Sequence, residues 1–192
     1  MIRSVCIGTL WILTVAAPGD GKAEGHEGPV VTNLEVARHD GDVSVSYDIV
    51  RGVTEEDLTR VHSGIPLKFQ HRAEIVGKRV MGIFPRKTLA RTVVTTRVEY
   101  DTLTKRYELS REVRGKDWPK DSTPPDHTDI KTTSSLEEMK AWMTTLDEVP
   151  LPDPPDIAER VKIKVRSELG KKFVMMIFPS IRTTSAETWM EP

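Results

Sequence analysis

Cysteine is the scarcest residue here: one in 192, Cys6, standing inside an apolar N-terminal run. A chain without a cysteine pair closes no internal disulfide, so stability has to come from a packed core, which a single domain of this length can build. Long hydrophobic runs are also missing. The first, VCIGTLWILTVAA from Val5 to Ala17, is shorter than the roughly 20 apolar residues of a bilayer-spanning helix. With Arg3 before it and Gly21-Lys22-Ala23 after it, it reads as an export signal cleaved near Ala23. Cys6 leaves with that signal, and it stands too early for a lipid-modified cysteine. The alternative is an inner-membrane anchor formed by an uncleaved N-terminus.

Charge of one sign is absent as well. Lys and Arg total 28 against 29 Asp and Glu, and beyond residue 23 the balance is 26 to 28. Nucleic acid is therefore not the expected partner, since phosphate binding wants a concentrated basic face. No Gly-rich phosphate loop and no Gly-x-Ser-x-Gly elbow occurs. The five histidines, His26, His39, His62, His71 and His127, form no pair at metal-ligand spacing. His39-Asp40-Gly41-Asp42 lacks the remaining ligands of a calcium loop and reads as a hairpin turn. Glu55-Glu56 and Glu137-Glu138 fall in first helical turns, where they complement the helix dipole. His71 sits on the apolar face of its strand, the position of a hydrogen-bonded core histidine or of a lone functional one. No cofactor, metal or catalytic residue is expected.

What is present is period-two alternation. The longest stretch runs from Thr88 to Val113: Ala90, Thr92, Val94, Thr96, Val98 and Tyr100 share a face, Asp101-Thr102-Leu103-Thr104 turns, and Tyr107, Leu109 and Val113 return. Val30 to Ile49 forms a second hairpin about Asp40-Gly41. Thr54 caps a short helix carrying Leu58, Val61 and Ile65, stopped by Gly64 and Pro66. Leu67 to Ile75 and Val161 to Leu169 read as strands. Ser135 caps a second helix whose stripe is Leu136, Met139, Trp142 or Met143, and Leu146. Residues 115–129 and 149–157, the latter with PLPDPP, read as exposed connectors.

The least polar stretch beyond the signal is Phe173 to Pro179. It is read either as a buried segment closing the core or as an exposed surface beside Lys171 and Lys172. In the second reading Val174, Met175, Met176, Ile177 and Phe178 are the candidate partner surface, with membrane-surface contact as one use. Met139, Trp142 and Met143 would line the pocket of a rival carrier for a small apolar ligand.

The stretches TNLEVARHDGDVSVSYDI, HSGIPLKFQHRAEI, VEYDTLTKRYELSRE and SSLEEMKAWMTTL resemble the bacterial domain-of-unknown-function family DUF4390. The most specific pieces are Ser63-Gly64-Ile65-Pro66 and Tyr100 through Tyr107; VMGIFPRK, Val80 to Lys87, departs from the pattern. The resemblance implies an exported protein of diderm bacteria, in some cases encoded beside envelope-sensing two-component systems, with no enzymatic activity attached. It implies an envelope protein as partner, a sensor-kinase system being one candidate. The sequence thus predicts a signal over 1–23 and one domain over 24–192. Its expected fold is mostly antiparallel β, sandwich-like, with about seven strands and two short amphipathic helices. The alternative is an α+β single antiparallel sheet with both helices on one face.

Overall fold

The computed structural model describes residues 28–39, 42–77, 88–115, 125–151, 160–174 and 178–190. The signal segment, the departing Val80 to Lys87 stretch and Asp40-Gly41 lie outside them. The element order is β1 (Val30–His39), β2 (Asp42–Val50), α1 (Glu55–His62), β3 (Leu67–Val76), β4 (Thr88–Asp101) and β5 (Arg106–Arg114). It continues with β6 (His127–Thr133), α2 (Leu136–Thr144), β7 (Thr145–Leu151), β8 (Val161–Val174) and β9 (Phe178–Met190). A three-stranded sheet, β1-β2-β7, faces a six-stranded one, β6-β5-β4-β3-β8-β9, every ladder antiparallel. The fold is mostly β and sandwich-like, as the one-faced alternation demands a second layer.

Alternation decides the inner face. Val43, Val45, Tyr47 and Ile49 of β2 are buried with Leu67, Phe69, Ala73 and Ile75 of β3 and Ile163, Val165 and Leu169 of β8 in one core. β4, flanked by strands on both sides, departs from one-faced alternation: Val93 and Thr95 on its outer face are buried too. Val93 lies in register between Arg72 and Arg114, whose aliphatic stems suit such a position.

α1 starts on the expected cap. The Thr54 hydroxyl accepts from the Asp57 amide at 3.3 Å, while the Asp57 carboxylate accepts from the Thr54 amide at 3.0 Å. It ends in a Schellman turn: Gly64 N–H donates to Val61 and Ile65 N–H to Arg60, with Gly64 at φ +80°. α2 is capped by Ser135, whose hydroxyl accepts from the Glu138 amide.

Three strands escape the sequence reading. The expected connector 115–129 ends inside β6, which holds His127 to Asp129. The expected helical stripe overreaches: α2 stops at Thr144, and Leu146 is a buried residue of β7. Val149, Pro150 and Leu151, assigned to the second connector, also belong to β7, while 152–157 lie outside the described residues. β9, the third, closes the large sheet beside β8.

Nothing lies within 4 Å of a methyl group added at Gly64, so a side chain there meets only the backbone penalty of positive φ. Gly64→Ala is expected to lower unfolding free energy by about 1 kcal/mol, read as a shift in urea midpoint with unchanged slope.

Candidate functional site

The ladder of β8 explains where the apolar stretch goes. β8 pairs with β3 from Lys162 against Val76 to Leu169 against Phe69 and no further. Gly170, at φ +64°, carries the bulge there, and the pairing with β9 then continues through Lys171–Ile181, Lys172–Ser180, Phe173–Pro179 and Val174–Phe178. Past Leu169, the partner of Phe69 in β3, the ladder among the described residues consists of β8 and β9 alone. Of the predicted surface, Val174 ends β8 and Phe178 opens β9; Met175, Met176 and Ile177 lie outside the described residues.

The root of this two-stranded arm is fixed by charge. Arg182, cross-strand partner of Leu169, forms an ion pair with Asp57, whose side chain is 0 % exposed. The same Asp57 Oδ2 accepts from the Thr54 amide and from its hydroxyl at 2.8 Å. One carboxylate oxygen therefore closes the helix cap and holds the arm. Its other oxygen, Oδ1, has no partner, nor has Arg182 Nε.

Near the end of α1 an aromatic corner forms. His62 Nε2 and the Tyr107 hydroxyl share a hydrogen bond at 2.7 Å, with the Tyr100 ring 4.8 Å from the imidazole and 5.0 Å from Tyr107. Tyr100 and Tyr107 are cross-strand partners. Burial, then the nearby Tyr100, raises the Tyr107 pKa. The corner joins the two stretches that carry the resemblance most specifically, the helix stop at Ser63 to Pro66 and the turn from Tyr100 to Tyr107. Leu103 at its tip is 92 % exposed and Ile65 47 % exposed.

His71 lies inside the sandwich, 1 % exposed. Its Nδ1 is 3.0 Å from the Ser167 hydroxyl and its Nε2 is 3.3 Å from that of Thr96. Tyr47, from the opposite sheet, also bonds to Ser167, and burial pushes its pKa up to about 12. Desolvation first, then the positive charge of Arg111, lowers the His71 pKa to about 3. The ring is neutral, hydrogen-bonded and out of a solute's reach, which makes it a core histidine.

Arg111 is the residue that alternation overlooked, although a lone cation between Leu109 and Val113 on an apolar face was its signal. It donates through Nη2 to the carbonyls of Trp142 at 2.6 Å and Thr145 at 3.0 Å and lies 4.6 Å from the Trp142 ring centroid. Burial lowers its pKa against the opposing pull of Asp129 and Asp147. Met139 and Met143 are fully buried core residues, with Trp142 packed against that core.

Among the described residues no group of three or more His, Cys, Asp or Glu is placed to hold a metal ion, and no helix is long and apolar enough to cross a membrane. His127 pairs with Asp129 at 2.9 Å, and His26 lies outside the described residues. These features define an antiparallel β-sandwich with two capped helices and a β8–β9 ladder that runs on past β3. The chain belongs to the family described as domain of unknown function DUF4390, which matches residues 26–174. The match ends with the last residue of β8, Val174, so β9 lies beyond it. No curated protein and no solved structure matches the chain.

The unfolded His71 ring titrates near the ordinary 6.5 and the folded ring near 3. Between those values the unfolded state takes up the proton, so stability falls as pH falls, by at most about 5 kcal/mol. Urea melts from pH 7 to pH 4 are expected to show this slope and to show a flatter one for His71→Gln; equal slopes would remove His71 as the cause.

Proposed function

We propose that this chain is an exported envelope protein acting as a non-enzymatic interaction module, with the β8–β9 arm presenting its partner surface. The observation that carries the reading is the ladder: pairing with β3 ends at Leu169 whereas pairing with β9 runs on to Val174. The described ends of the least polar sequence beyond the signal, Phe173–Val174 and Phe178–Pro179, thus fall where β8 and β9 pair without β3. A two-stranded ribbon is marginal in water, and apolar residues on one gain by burial against another molecule.

Export is supported by the arrangement of Arg3, the apolar run and Gly21-Lys22-Ala23. The partner we infer is an envelope protein, with a sensor-kinase component as one candidate from the resemblance. The domain's own core already accommodates Met139 and Met143, the residues a small-ligand carrier would use as lining, which favours the interaction reading over that rival.

The test combines two measurements. N-terminal sequencing of the exported protein is expected to begin at Glu24. Met176→Glu with Ile177→Lys is expected to leave circular dichroism and melting temperature within about 2 °C of the parent. It should also abolish the partner crosslink formed in intact cells by a photoreactive group at position 174. Global unfolding of the double variant would show instead that the stretch belongs to the core.

A further inference from the structure

β6 forms one rim of the six-stranded sheet, and among the described residues β5 is the only strand paired with it. The opposite rim, β9, runs beside β1. Exposed strand edges offer a row of backbone donors and acceptors, and apolar residues at their centres promote pairing. Ile130 is the middle residue of β6, His127–Thr133, and is 79 % exposed. Around it the strand reads His-Thr-Asp-Ile-Lys-Thr-Thr.

That order is self-complementary. Two antiparallel copies centred on Ile130 set Asp129 against the partner's Lys131 and Lys131 against the partner's Asp129. Thr128 then faces the partner's Thr132, and Ile130 faces its own copy. Cross-strand pairs of opposite charge and of β-branched residues are the ones that stabilise a ladder, and like charges directly opposite destabilise it. Moving the centre by one residue, the smallest step that keeps the inner faces of both sheets on one side, places Asp129 on Asp129 or Lys131 on Lys131 at the axis. The internal partners of these two charges, His127 and Glu138, leave both side chains nearly half exposed.

We propose that β6 is a homodimer edge: two copies join their six-stranded sheets into one through antiparallel β6 pairing about a twofold axis at Ile130. This rests on the strand's own chemistry and is independent of the arm's role. Seven residues per copy bury less than the roughly 1,200 Å² of a durable interface, so the dimer is reversible and concentration-dependent.

Sedimentation velocity of the purified exported protein from about 5 to about 500 µM tests it. The parent is expected to pass from one-chain to two-chain mass within that range. Asp129→Lys alone and Lys131→Asp alone each face themselves with like charges and should associate at least tenfold more weakly. An equimolar mixture of those two variants faces opposite charges throughout and should regain the dimer. Ile130→Lys, at an exposed position, should be folded and monomeric, which separates loss of pairing from loss of fold. A parent that keeps one-chain mass throughout, single variants that dimerise like the parent, or a mixture that remains monomeric would each overturn the proposal.

Discussion

Arg111 is the contact on which the meeting of the two layers depends. It sits on β5 of the large sheet and donates to the carbonyls of Trp142 and Thr145, on either side of the point where α2 turns into β7 of the small sheet. A helix end leaves carbonyls without intrahelical partners, and α2 has no basic residue in its last turn. The guanidinium supplies the missing donors from another element. Because this cation is half-buried and its acceptors are main-chain carbonyls, leaving these charge-assisted hydrogen bonds unmade would be destabilising. One side chain thereby ties the end of α2 and the start of β7 to the large sheet.

The same interaction explains which parts of the fold were legible. Hairpins β1–β2 and β4–β5, both helix caps and the Gly64 stop are encoded within a few residues of where they act, so periodicity and capping chemistry revealed them. The end of α2 is encoded by Arg111, far away in sequence, and the apolar spacing ran on smoothly from Met143 to Leu146 as though the helix continued. β6 and β9 were hidden for another reason. As rim strands they are wet along much of both faces, so a polar run such as Thr183, Thr184 and Ser185 shows no apolar period. Pro150 disguised β7 in the same way, since proline is tolerated at a sheet rim and read as a tether.

The site was legible as composition and illegible as geometry. Phe173 to Pro179 announces itself by its apolarity, but only the register of β3 against β8 shows that its described ends, Phe173–Val174 and Phe178–Pro179, pair beyond β3. Asp57 is a first-turn acid by its place in the helix; that it also receives Arg182 is seen only in the register, which sets Arg182 opposite Leu169, next to the Gly170 bulge that lies close to Asp57. His71 illustrates the converse. Its place on an apolar face raised the question of a site, and the hydroxyls of Ser167 and Thr96, supplied by neighbouring strands, answer it as core chemistry.

A two-stranded arm that served as a docking element would gain from being held at its root, because ordering a floppy ribbon on binding consumes affinity. Asp57 provides that restraint. Its Oδ2 gathers the Thr54 amide, the Thr54 hydroxyl and the Arg182 guanidinium at one point, so the arm's base is tied to a capped helix that is itself packed through Leu58 and Val61. Glycine at 170 lets the ladder shift register without strain at the same place. The restraint therefore acts where pairing with β3 ends. Such a restraint suits a surface that must be aimed by the fold.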